Sequence, residues 1–304
     1  MKSNYVLLVC LLLATILYSQ EAIQRDAARK VSIGQYNYAI MYDYRYAMDT
    51  TNKKRFLDRK MLEIGNDFSR FYSMYADKVD SIMYRARTDK NKKGDVLNPR
   101  SWMDADEKDR YEDFYMNYPL KGTLLVRTAL VNTEYEYEEP IPQMEWQIAA
   151  SEIKTILGYE CFKATTSFRG RDYEAWFAPS IPIPLGPWKF SGLPGLILKA
   201  CDTGELFSWE AIGIQQTIGP IYIYDPKGRK QMPNAPFTRI VKISRGQLQK
   251  LQAKLWDDPD GLFIQHGGQL ADFYVDRTTG KRIPYKPGDR PNYRKPYIPM
   301  PELE

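Results

Sequence analysis

Tyr36-Asn-Tyr-Ala-Ile-Met-Tyr-Asp-Tyr-Arg-Tyr46 alternates along its whole length. Tyr36, Tyr38, Ile40, Tyr42, Tyr44 and Tyr46 fall on one side, and Asn37, Asp43 and Arg45 on the other. Only an extended chain sends successive side chains to opposite faces, so this stretch is a strand. A row of tyrosines is broad and amphipathic, flat and apolar with a polar tip. It suits a core or the lining of a groove. Tyr36, Tyr38, Tyr42, Tyr44 and Tyr46 are therefore candidate groove residues as well as candidate core.

Outward from this strand the pattern stays mainly extended. Residues 59–65, 124–131, 133–138, 159–168, 173–177, 195–200, 206–214 and 240–243 read as strands. Arg169-Gly-Arg-Asp172 and Asp202-Thr-Gly204 turn them. Phe68, Phe71, Tyr72, Tyr75, Val79, Ile82 and Met83 recur at helical steps, although the first turn equally fits a hairpin. Residues 101–118 start on a candidate cap and predict a short helix. Ser244 followed by Gln247 forms a capping box before Leu248, Leu251 and Leu255. Thr279-Gly280 centres a late hairpin, and the Pro-rich tail 287–304 should be extended. The predicted fold class is α+β, mainly antiparallel β: one curved, half-barrel-like sheet with one to three packed helices.

Composition narrows the function classes. The formal charge is +5, with 38 acids among 43 bases, too mixed for a nucleic-acid surface. His266 is the only histidine, so a His-rich metal site within one chain is excluded, and no metal or other cofactor is expected. No Gly-x-Ser-x-Gly elbow is present, and Ser151-Glu-Ile-Lys154 lacks the partner motifs of a Ser-x-x-Lys enzyme. No catalytic constellation assembles, though paired carboxylates such as Glu138 and Glu139 leave a hydrolase as the alternative.

The first residues predict export. Met1 and Lys2 precede an apolar run over 5–17, then small Ser19. This is the pattern of a signal peptide over 1–19, ahead of a single domain over 20–304. The run is shorter than the roughly 20 apolar residues of a membrane-spanning helix, and no later stretch replaces it. Periplasmic or outer-membrane-associated placement follows as an expectation. Cys161 and Cys201 are then the two remaining cysteines, a candidate disulfide in an oxidising compartment.

Gly186-Pro-Trp-Lys-Phe-Ser-Gly-Leu-Pro-Gly-Leu-Ile-Leu-Lys-Ala200 is the densest apolar segment that cannot be helical. Leu193-Pro194-Gly195-Leu196 fits a type II turn, with Gly195 at positive φ. Trp188, Phe190 and Leu193 must then point inward or into a partner, as a plug under the sheet. Trp176, Trp188, Phe190, Gly192, Leu193, Pro194 and Gly195 are the candidate binding and motif residues, with tail residues Tyr293 and Tyr297 as further aromatic surface.

Gly158-Tyr-Glu-Cys-Phe-Lys-Ala164, Arg169-Gly-Arg171, Ala175-Trp-Phe177, Ile181-Pro-Ile183, Gly186-Pro-Trp-Lys-Phe190 and Gly192-Leu-Pro-Gly-Leu-Ile197 together resemble the GLPGLI family of exported gram-negative proteins. Met61-Leu-Glu-Ile-Gly65, Ser69-Arg-Phe-Tyr-Ser73 and Pro299-Met-Pro-Glu-Leu-Glu304 are also similar to it. The resemblance implies a cell-envelope protein. It carries over no catalytic residue, and Gly192, Pro194 and Gly195 only as structural positions. The expected function is non-catalytic: holding an apolar or peptide-like ligand, or docking on an outer-membrane assembly. A purely structural or assembly role is the other non-enzymatic alternative.

Overall fold

The computed structural model describes residues 30–47, 55–88, 104, 111–130, 133–224, 240–258, 273–275, 282–284 and 302. The predicted signal peptide, His266, Tyr293, Tyr297 and nearly all of the Pro-rich tail lie outside them.

The strands are β1 (Lys30–Ala47), β2 (Arg55–Gly65), β3 (Ser69–Ser73), β4 (Glu112–Met116), β5 (Thr123–Leu130), β6 (Thr133–Pro140), β7 (Gln147–Ile156), β8 (Tyr159–Phe168), β9 (Arg171–Ala178), β10 (Leu196–Asp202), β11 (Phe207–Tyr224), β12 (Ile240–Lys242), β13 (Phe273–Val275) and β14 (Arg282–Pro284). The described helices are α1 (Met74–Thr88) and α2 (Arg245–Asp257). One 12-stranded sheet runs β12-β6-β5-β4-β3-β2-β1-β11-β10-β9-β8-β7, while β13 and β14 pair separately. Every pairing is antiparallel except β12 with β6.

The α+β assignment is corrected by this sheet. It gathers nearly all the regular structure, and only two helices occur among the described residues. The helix predicted over 101–118 is one source of the error. Glu112-Asp-Phe-Tyr-Met116 is a strand, and it is buried on both sides. With both sides covered, it shows no amphipathic stripe by which strand and helix could be told apart. The hairpin option at residue 68 is the one realised. Ser69–Ser73 pairs with β2, and only then does α1 begin, with the Ser73 hydroxyl accepting from the Ala76 amide at 3.0 Å. The capping box on α2 forms as expected: Gln247 N donates to Ser244 Oγ, and Ser244 N to Gln247 Oε1.

One short connection fixes the shape of the sheet. β6 is second in the order and β7 last, yet only residues 141–146 join them. A flat sheet would separate these strands by roughly 48 Å at the usual strand spacing. Seven extended Cα steps span at most about 25 Å. The sheet must therefore curl until its edges approach.

The inner face holds the main core. Tyr42, Tyr44 and Tyr46 are buried there with Trp209, Phe207, Leu62, Phe71, Phe114, Val126, Tyr137, Ala164 and Ala175. Tyr38 is only partly buried. Tyr36 leaves the row. It pairs with Gly65 while Tyr38 pairs with Ile64, so Asn37 is the extra residue of a bulge. A bulge shifts the alternation by one, and Tyr36 turns outward. There its ring lies so close to Gly219 that a Cβ would sit 2.4 Å from it.

The outer face of β2–β5 is covered by α1 and by the free ends of β1 and β11. Ile33 and Ile223 pack there on Tyr115, Leu125 and Tyr118. Polar groups bind this second layer. Lys30 Nζ and the Tyr224 hydroxyl donate to Asp77, Arg70 Nη2 donates to Asp113 at 2.8 Å, and Arg127 bridges Glu136 and the Tyr224 carbonyl.

Glu63 sits in the same layer, accepting from the Tyr72 hydroxyl at 3.0 Å. Burial pushes its carboxyl up to about 7, against the pull of Arg70. Because the folded value lies above the ordinary one near 4.5, the folded state favours the proton. This contribution is complete below about 4.5 and is lost as pH rises through about 7. Wild-type urea stability should therefore drop by up to about 3 kcal/mol between pH 4.5 and pH 8 on account of this group. Glu63→Gln should flatten that part of the profile. An unchanged slope in the variant would remove Glu63 as its source.

Candidate functional site

Residues 179–195, between β9 and β10, form the plug. Their prolines and glycines rule out a helix, and the backbone instead closes a series of tight turns. Ile183 N donates to Ile181 O, Leu185 N to Ile183 O, and Gly195 N to Leu193 O, each spanning two residues. Gly192 N to Pro184 O and the Leu185–Ser191 bridge fold the loop on itself. Leu196 N to Ile181 O and Ile197 N to Leu185 O hold it to β10.

The expected type II turn is corrected. Gly195 does not have positive φ. Gly192 does, at +93°. Gly195 is needed for closeness: a Cβ there would lie 2.3 Å from the Ala178 carbonyl oxygen. The 193–195 hydrogen bond makes this a three-residue turn about Pro194, whose fixed φ suits it.

The turn at 187–190, closed by Phe190 N to Pro187 O, puts Trp188 at φ 55°. A bulky residue in that region is strained and needs its surroundings to hold it. The surroundings are aromatic. Trp188 stacks on Trp209 at 5.7 Å, Trp209 on Tyr44 at 5.0 Å, and Tyr44 on Tyr46 at 5.2 Å. Phe190 sets its edge against Trp188, Trp209 and Tyr173. The Tyr42 hydroxyl donates to Ile197 O at 2.7 Å. Thus Trp188, Phe190, Leu193 and the tyrosine row meet, but as one packed core. Trp176 is elsewhere. It lies on the outer face, half-buried, donating to Glu174 and lying under Lys154.

Cys161 and Cys201 are free thiols, which corrects the disulfide. They lie on β8 and β10, and β9 runs between them. Cys201 is opposite Glu174, and Glu174 opposite Thr165, four positions along β8 from Cys161. That places the cysteines more than about 13 Å apart along the strands and about 10 Å across them. A bond needs Cα atoms within about 7 Å. Burial pushes both thiols up.

The plug also carries a charge that sequence reasoning passed over. Lys189 lies between Trp188 and Phe190 and is 1% exposed. Its ammonium contacts Glu139 at 2.7 Å, the Tyr137 hydroxyl at 3.1 Å, and Glu302. Arg169, on the β8–β9 turn, donates to Glu139 and Glu302, both at 2.7 Å. Arg245, at the start of α2, reaches Glu302 at 3.1 Å. Burial works against the charged form of Glu139, but Arg169 and Lys189 outweigh it and hold the carboxyl below its ordinary range. The signal available in sequence was the lysine itself. A charge inside an apolar plug must be paired if it is buried.

Beside this cluster is a cavity of about 40 Å³, bordered by Glu112, Phe114, Trp188, Lys189, Leu248 and Glu302. It has room for a few waters and not for a substrate. A larger groove of about 500 Å³ opens at the start of β7, lined by Trp146, Gln147, Thr165, Thr166, Asp172 and Tyr173. The buried Thr166 hydroxyl in its wall has no hydrogen-bond partner among the described residues. No three His, Cys, Asp or Glu side chains are grouped to hold a metal among the described residues, and no described helix is long and apolar enough to cross a membrane.

No curated protein matches the chain. Two solved structures of PNGF-II are 17% identical to it, at TM-scores of 0.40 and 0.42, over 71% of this chain. The chain spans about a third of their length, 32%. A third structure, of a putative outer membrane lipoprotein-sorting protein domain from Vibrio parahaemolyticus, is 8% identical at a TM-score of 0.19, over 64% of this chain and 90% of that one. Across residues 169–199, which run from the β8–β9 turn through the plug into β10, the chain matches the model of a family described as Protein of unknown function (Porph_ging).

Proposed function

We propose that this is an exported envelope protein of GLPGLI type that docks a peptide-like partner along the open edge of its sheet, without catalysis. One observation carries this reading. β7 is the last strand of the order, and among the described residues no strand pairs with its outer edge. Ile148 and Ile153 on it are 49% and 54% exposed, and Leu157 follows at 43%. An edge strand offers unpaired amide and carbonyl groups to an extended peptide, while side chains beside it set specificity. The register break between Ala149 and Ile153 limits the regular ladder to short segments on either side. Such a break guards against indiscriminate pairing and restricts the partner to a short strand. The neighbouring groove at Trp146 and Thr166 would receive its flanking polar groups. The peptide is favoured over an apolar ligand because the plug fills the inner face where an apolar ligand would lie. The basic and apolar start of the chain supports export.

The test is photo-cross-linking in the native cells from position 153, with exposed position 218 on β11 as control. A single adduct from position 153, absent from position 218 and lost in Ile148→Asp, is the expected result. Equal labelling from both positions, or none, would overturn the reading.

A further inference from the structure

We infer that Lys189, Arg169 and Arg245 form a carboxylate-binding site, and that the chain's own acidic C-terminal segment is its ligand in cis, through Glu302. The inference does not rest on the β7 reading.

Three elements supply the cations: the plug, the β8–β9 turn and the first turn of α2. Glu139 is the carboxylate that the sheet contributes to them, and Glu112 borders the small cavity beside them. Among the described residues Glu139 is thus shared by all three cations, with Arg245 at 3.6 Å, in a place where Lys189 is almost fully buried. Buried charge needs a partner, and Glu302 is a second carboxylate that all three cations share. It does so with both carboxylate oxygens. Oε1 faces Lys189, and Oε2 accepts from Arg169 and Arg245. Glu302 is itself 8% exposed, an unusual burial for a glutamate. The site is prepared by its surroundings. The Tyr137 hydroxyl contacts Lys189, and Glu139 orients both Lys189 and Arg169. The docked carboxylate also ties α2 to the plug, since Arg245 belongs to the helix and Lys189 to the loop. Leaving the site would free α2 from one of its anchors.

The experiment uses the full chain. In Glu302→Gln, hydrogen exchange of the α2 amides should accelerate at least tenfold, with β1, β2 and β11 unchanged. Added peptide Pro-Met-Pro-Glu-Leu-Glu should restore protection, whereas Pro-Met-Pro-Gln-Leu-Glu and sodium acetate at the same concentration should not. Carboxypeptidase gives a second readout. On the wild type, trimming should stall once Glu302 is terminal, and in Arg245→Gln it should pass through. Unchanged α2 exchange in Glu302→Gln overturns the inference. So does equal rescue by the two peptides, rescue by acetate alone, or trimming that ignores Glu302 in the wild type.

Discussion

Trp188→Ala should cost about 4 kcal/mol and lower the melting temperature by about 10 °C. Its indole is the end of a stack that continues through Trp209 and Tyr44 to Tyr46, and it also packs edge-on against Phe168 and Phe190. Truncation removes the ring and leaves a void between plug and sheet that the curled strands cannot close. Relief of the positive φ would return only part of this, because alanine is also disfavoured there. Thermal unfolding followed by near-ultraviolet circular dichroism reads the loss directly. A shift below about 2 °C would mean that the plug sits on a core that stands without it.

Gly195→Val should be as severe, at about 3 kcal/mol or more, by another route. The Ala178 carbonyl oxygen, the Ala178 carbonyl carbon and Pro179 Cα would lie 2.3, 2.6 and 2.9 Å from the new Cβ. All three are backbone atoms, so no rotamer change can relieve the contact, and β9 must part from the start of β10. Gly192→Ala provides the contrast. It meets nothing nearer than Trp146 Nε1 at 3.9 Å, so only its φ of +93° resists substitution, at a cost of about 1–2 kcal/mol. Chemical denaturation of Gly195→Ala and Gly192→Ala should rank the first as clearly worse. The reverse order would show that backbone conformation governs the motif and close approach does not.

The β character was legible because alternation is a local property. Residues 38–46 reveal their strand without reference to any neighbour, and the capping box of α2 is equally local. What failed depends on distant residues. The strand at Glu112–Met116 is hidden because the ends of β1 and β11 cover its second side. Tyr36 was misplaced because the Asn37 bulge is set by the register with β2 and β11, which alternation cannot express. The cysteines have the parity that a shared face requires, yet one intervening strand keeps them apart. The tyrosine row is core because Trp209, with Trp188 stacked behind it, lies on Tyr44. The candidate carboxylate site was the least legible, because Glu139, Arg169, Lys189, Arg245 and Glu302 are brought together only by the curl of the sheet.

The pairing of β1 with β11 has a temporal consequence. Lys30 lies opposite Tyr224 and Tyr46 opposite Phe207, while β1 to β6 and β7 to β11 are each joined mostly by near neighbours in the chain. Each half can begin to form as a local meander. The seam between them must wait for the last strand of the second half to become available. A chain emerging from its N-terminus therefore holds β1 with one side unsatisfied through most of its synthesis. Long-range closure of this kind is slow. The two meanders therefore form first and their junction last, once β11 has emerged.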